Sequence, residues 1–304
     1  MARVYQYLEL TMEELDGLNR ERTIIVMSLS PIEAHGPHLP LGTDLLLAEE
    51  IGKQYVDIIK EDFPGYQAVI LPTLPLGADA LPRPGSIGVS APNLTRILES
   101  FGRELAGMGF KFLLLADNHG GPRHLLACER AARRLYKKHG FHLINPFSRE
   151  FSLMMAGDRE FLEGSGLKAG ECGDIEDLHA GTNETSLLLA TKEEQVRENF
   201  RELPQNEAPE PGKIFVLLAG LFRVIRKEKL AREVNSLGRI AAWAGNGEIP
   251  AYIGSPALAK PEAGSAMLEC RRNVAREIIS QILEGDEVKL HPPLWPLALL
   301  ARLP

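Results

Sequence analysis

The run TIIVMSL, Thr23 to Leu29, carries no charge and is rich in β-branched side chains. A strand with one face in water alternates apolar and polar residues; this one does not, so it reads as a strand buried on both faces of a sheet. Working outward, the chain alternates element types. DLLLAEEIGKQYVDIIK reads as an amphipathic helix, QAVIL (67–71) as a strand, NLTRILESFGRELAGM as a helix and FKFLLLAD as a strand. PRHLLACERAARRLYKKH then reads as a helix and FHLIN as a strand. Strands alternating with helices predict an α/β fold with a mostly parallel sheet covered on both sides. Thr11 with Glu14 predicts a capping box on a short first helix. Beyond Pro146 the pattern loosens. A helix is expected from about Thr182, and a strand, a loop and a closing helix are expected from Gly247 to Leu283.

Composition narrows the function classes. The chain has 304 residues and a net charge of −7, and its longest basic cluster, Arg130 to Lys138, has helical spacing. That excludes a concentrated phosphate-binding surface, so nucleic acid is not an expected partner. Cys128, Cys172 and Cys270 are dispersed and form no CxxC pair, which fits a reducing compartment. The N-terminus has no apolar core of signal-peptide length and no segment is long enough to span a bilayer, so a cytoplasmic location off the membrane is expected. No internal repeat or linker divides the chain, and residues 1–304 are read as one domain. Residues 286–304 form an apolar, proline-rich tail, expected at a subunit contact.

Chemistry gathers where parallel sheets place it, in loops at the carboxyl ends of strands. IEAHGPHLPLGTD, directly after the first buried strand, holds Glu33, His35, His38 and Asp44. Glu33 and His35 stand two apart, so in extended backbone they point to one side. NHGG offers His119, and HAGTNETS offers His179 and Glu184 around a helix start. Singly, each group has an ordinary explanation as a cap, a turn or a surface histidine. Together, carboxylates and imidazoles on one sheet edge suit zinc, manganese or iron(II), and a carboxylate can bridge two such ions. His38 reads as a supporting residue rather than a ligand. There is no G-x-S-x-G elbow, Walker loop or G-x-G-x-x-G.

The segments E-A-H-G-P-H-L-P-L-G-T-D, N-H-G-G and H-A-G-x-x-E-T-S resemble the creatininase family, creatinine amidohydrolase and its relatives. Pro84-Gly85-Ser86-Ile87 is similar to the family's P-G-T-I loop, and Ile253 to Pro256 with Glu262 to Gly264 is similar to its G-x-P…E-K-G segment. The resemblance implies a three-layer α/β/α fold, a dinuclear metal centre and a homohexamer. It implies that Glu33 and His119 hold one ion, His35 and Glu184 the other, that Asp44 bridges them, and that His179 is catalytic. The implied cofactors are two divalent ions per subunit, Zn2+ with Zn2+, Mn2+ or Fe2+ as the second.

The implied activity is hydrolysis of a small-molecule amide by a metal-activated water, as a hydrolase of carbon–nitrogen bonds other than peptide bonds. Opening of a cyclic amide such as creatinine, and a non-catalytic metal-binding role, are the alternatives. Two departures bear on substrate. Gly121 stands where creatinine-hydrolysing members carry a glutamate, which is expected to leave room. Arg83 lies on the loop that closes over the site in the family, and is expected to grip an anionic group of a larger amide.

Overall fold

The structure of the chain is a computed structural model, and it describes residues 3–156, 158–164 and 177–285. The expected subunit-contact tail at 286–304 and Cys172 lie outside the described residues. In chain order the first half runs β1 (Val4–Gln6), α1 (Met12–Asp16), β2 (Thr23–Ser30), α2 (Thr43–Asp62), β3 (Gln67–Ile70) and β4 (Leu74–Pro75). It continues through α3 (Ala91–Gly107), β5 (Phe112–Ala116), α4 (Pro122–His139) and β6 (His142–Ile144). The second half is helical: α5 (Phe147–Ala156), α6 (Arg159–Gly164), α7 (Thr182–Lys192), α8 (Lys213–Val224), α9 (Glu228–Ala244) and α10 (Pro261–Leu283). The capping box on α1 is present in both directions, between Thr11 and Glu14.

Strand order is β1-β3-β2-β5-β6, with β4 pairing the far end of β2, and every described pairing is parallel. β2 is central, with Ile25 opposite Val69 on one side and Leu113 on the other, and all its residues are buried. Its alternate side chains serve two cores. Ile25, Met27 and Leu29 pack with α3 and α4, whereas Ile24 and Val26 pack with α2 and α10. The uncharged run is almost wholly apolar because helices cover both faces, which gives the three-layer α/β/α arrangement.

The crossovers put the ends of β2, β4 and β5 at one edge, and the loops leaving Ser30, Pro75 and Ala116 meet there. The strand expected after Gly247 does not form. Ile253 and Gly254 make only isolated bridges, to His179 and Asn206. Gly254 has φ 130°, and Pro256 follows, so no ladder can continue. The bridge nonetheless fixes His179 at the sheet edge. Among the described residues, no helix is long and apolar enough to cross a membrane.

Candidate metal centre

The loop from Pro31 to Gly42 is irregular but pinned. Glu33 N–H donates to Leu41 O at 2.9 Å, Ile32 exchanges bonds with Ile87, and Gly36 takes φ 67°. This backbone buries Glu33, His35 and His38 together. Asp44 follows on the first turn of α2, where a carboxylate is favoured by the helix N-terminus. Glu184 has the same setting on α7, and its Oε2 also accepts Ala180 N–H at 2.6 Å, which stabilises the left-handed turn at Ala180. His119 leaves the loop after β5. Asp117 fixes that loop by accepting from Ser30 Oγ, His119 N and Asn145 Nδ2 and by pairing with His124.

Five side chains converge as two triads that share one carboxylate. Glu33, Asp44 and His119 form one; His35, Asp44 and Glu184 form the other. His119 Nδ1 lies 3.0 Å from Glu33 Oε2 and 3.3 Å from Asp44 Oδ2. His35 Nε2 lies 3.5 Å from Asp44 Oδ1 and 3.6 Å from Glu184 Oε2. Asp44 therefore gives one oxygen to each triad. Most of these separations exceed a good hydrogen bond, but donors about 2.0–2.1 Å from a shared tetrahedral ion stand about 3.3–3.4 Å apart. Glu33 Oε2, His35 Nε2 and Asp44 Oδ2 are buried without a hydrogen-bond partner, which buried polar atoms rarely tolerate. Spacing, donor chemistry and unsatisfied atoms all fit a pair of divalent cations.

Each histidine is oriented by its other nitrogen. His35 Nδ1 meets Glu33 O at 2.9 Å, His119 Nε2 meets Ala78 O at 3.0 Å and His179 Nε2 meets Ala34 O at 2.8 Å. A carbonyl only accepts, so these nitrogens carry hydrogen, and the opposite ones face the carboxylates, where each would offer its lone pair to a bound cation. His179 Nδ1 stands 3.9 Å from both Glu33 Oε2 and Glu184 Oε2, set back from the triads. Its ring lies 4.2 Å from that of His35 and 5.2 Å from that of Trp243.

The electrostatics follow from burial against charge. Burial opposes a proton on His35, but Asp44 and then Glu184 outweigh it and hold the imidazole well above its ordinary value. His119 is raised likewise, with Glu33 the chief opponent of burial. Burial pushes the Asp44 carboxyl up, yet His35 and then His119 keep it well below the carboxylate range. His38 behaves differently: burial, then repulsion by His35, lowers it to about 4. It bonds Thr185 Oγ1 at 2.9 Å through Nε2 and belongs to neither triad.

A further cluster, Asp117, His124 and Cys128, does not have this character. His124 spends Nδ1 on Ala78 N–H at 3.1 Å and Nε2 on Asp117 at 2.8 Å. Burial raises the Cys128 thiol well above its ordinary value, so it stays protonated in the core.

Residues 8–279 match the creatininase family, described as creatinine amidohydrolase. The chain belongs to the creatininase family. The mycofactocin precursor peptide peptidase of Mycobacterium tuberculosis is 29% identical over 266 residues, covering 83% of this chain and 84% of the relative. A solved structure of creatinine amidohydrolase is 20% identical with TM-score 0.64, covering 91% of this chain and 97% of that one. A creatininase structure with Mn is 20% identical with TM-score 0.63, covering 91% and 98%. These solved creatininases share the fold. The expected restriction to carbon–nitrogen bonds other than peptide bonds is overturned by the peptidase relatives. Chemically it had no basis, since attack on an amide carbonyl is the same reaction in a peptide.

Two expected substrate residues stand differently in this creatininase-family chain. Arg83 does not offer its fork to an anion. Nη1 donates to Pro82 O and Ala244 O, and Nη2 to Trp243 O and Asn246 O, so the terminal N–H groups are engaged with backbone. Arg83 instead ties the end of α9, and with it Trp243, over the site. Gly121 leaves no room: a Cβ there would sit 2.4 Å from His119 Nε2 and 2.9 Å from Asp79 Cβ. A side chain there would have to displace the imidazole and Asp79.

Sequence reasoning passed over Asn118, Arg271 and Trp243. Asn118 donates at 3.0 Å to Asp44 Oδ1 and at 3.0 Å to Glu184 Oε1. A signal existed for Arg271, which falls on the buried stripe of α10 with Gly264, Met267, Leu268 and Ala275. Trp243 carried none.

Proposed function

We propose that the chain is a metal-dependent hydrolase that cleaves an amide C–N bond in a peptide or peptide-like substrate. One observation carries this reading: two donor triads share Asp44, and His179 turns a free ring nitrogen toward both. Glu33, Asp44 and His119 would hold one ion and His35, Asp44 and Glu184 the other, Zn2+ paired with Zn2+, Mn2+ or Fe2+. When bound, such ions supply a nucleophilic water near neutral pH and polarise the amide carbonyl.

The chain's own groups do the rest. Ala34 O holds His179 in the tautomer that leaves Nδ1 basic, so Nδ1 receives the proton of the attacking water and passes it to the leaving nitrogen. Trp243 packs on this imidazole and limits its rotation. Peptides as substrate are supported by the peptidase relatives, which span most of the chain. The test is a defined peptide library incubated with chelator-treated protein with and without added Zn2+ or Mn2+, read by mass spectrometry. Metal-dependent cleavage at a peptide bond is expected; hydrolysis confined to non-peptide amides, or none, would overturn the reading.

We also infer self-association, with six copies as the family resemblance implies. Support comes from α8, where Ile214, Leu217, Leu221 and Val224 are 73%, 67%, 56% and 81% exposed. Their spacing forms one apolar stripe, and monomers rarely leave such stripes in water.

A further inference from the structure

We propose that Arg271 and Asn118 act as a positioning relay that sets the separation of the Asp44 and Glu184 carboxylates, a role that rests on the metal-centre reading above. Asp44 is delivered by α2 and Glu184 by α7, so nothing in either helix alone fixes the distance between them. Asn118, buried at the end of β5, spends its two amide hydrogens on these two carboxylates, one each, both at 3.0 Å. Its Oδ1 accepts from Arg271 Nη1 at 2.7 Å. The amide can face only one way. Guanidinium donates and never accepts, carboxylates accept and never donate, so Arg271 forces Nδ2 toward the site.

A plain structural ion pair is the competing account, because Arg271 also faces Glu150. That contact is poor. Arg271 Nε stands 3.6 Å from Glu150 Oε2, and Nε and both Glu150 oxygens lack a hydrogen-bond partner. The short, directional bond goes to Asn118 instead. The guanidinium is held for that bond by the Phe147 ring, 5.3 Å below it, and by burial within α10. α10 thereby reaches the centre without contributing a ligand, through a bond that aims an amide rather than touching the reacting atoms.

The experiment is Zn2+ affinity by chelator competition, alongside melting temperature of the chelated protein. Wild type is expected to bind two ions per chain. Arg271→Met should weaken binding by about tenfold to a hundredfold, the usual effect of losing an outer partner of a ligand. Asn118→Leu, which leaves Arg271 facing Glu150, should weaken it as much, and the double variant no further. Arg271→Lys, which keeps a donor, should recover part of the loss. If Arg271→Met does not fold, Asn118→Leu decides alone. Variants that bind Zn2+ as tightly as wild type, whether or not the chelated protein melts lower, overturn the relay and leave the metal centre standing. A wild type that binds no Zn2+ overturns both.

Discussion

His35, His119 and His179 receive the same treatment on one nitrogen and different treatment on the other, and their roles divide there. All three give an N–H to a backbone carbonyl. His35 and His119 then bring the second nitrogen within 3.6 Å of carboxylates, whereas His179 stays 3.9 Å away. Substitution should separate the two classes. Asp44→Ala removes the oxygen shared by both triads and is expected to lower bound metal and activity together. His179→Ala is expected to keep its metal and lose about two to four decades of rate, the scale of a lost general acid–base. Elemental analysis beside turnover checks both, and metal loss in His179→Ala would make that residue a ligand. At this scale the sequence was legible where donors cluster along the chain, in Glu33-x-His35 and in the residues around His179 and Glu184. The link of Asn118 to Arg271 was not, because it is a bond between residues 153 positions apart, although the place of Arg271 on a buried stripe marked that residue. The backbone contacts of Arg83 were hidden for the same reason: all of its carbonyl partners but Pro82 lie beyond position 240.

Helices deliver these residues, so their packing should register in the site. α7 and α10 cross closely at Gly264, where a Cβ would come within 2.0 Å of Ser186 O and 2.9 Å of Ala190 Cβ. Only glycine permits that approach, and α7 carries Glu184. Gly264→Ala is expected to cost about 1–3 kcal/mol by overpacking. Gly220→Ala, in α8 with nothing within 4 Å, should instead gain up to about 1 kcal/mol from helix propensity. Denaturant unfolding of both checks the contrast, and equal effects would refute it. Elements with strong periodicity were readable, and α4 begins and ends as its sequence indicates, stopped by Gly140 in a left-handed turn. Of the elements that were missed, α9 carries a readable stripe through Ala231, Val234 and Gly238, whereas others lacked such a signal. α8 is apolar on nearly every side, which blurs its period, and the run AYIG looks like a strand but pairs only through isolated bridges at Ile253 and Gly254.

At the scale of the whole molecule, sheet topology gathers the ends of β2, β4 and β5, and the helical second half closes over that edge. α8 stands apart from this, with its apolar stripe facing outward. Leu217→Glu should lower the mass measured by light scattering while leaving the fold intact, and an unchanged mass would exclude α8 from the assembly contact.

Amide hydrolysis driven by two ions on one shared carboxylate is checked by stripping the protein of metal and measuring cleavage of a peptide substrate against equivalents of Zn2+ or Mn2+ returned. No cleavage is expected at zero equivalents, and a plateau is expected at two per chain. Cleavage that persists in the stripped protein, or that saturates at one ion, would contradict the two-ion reading.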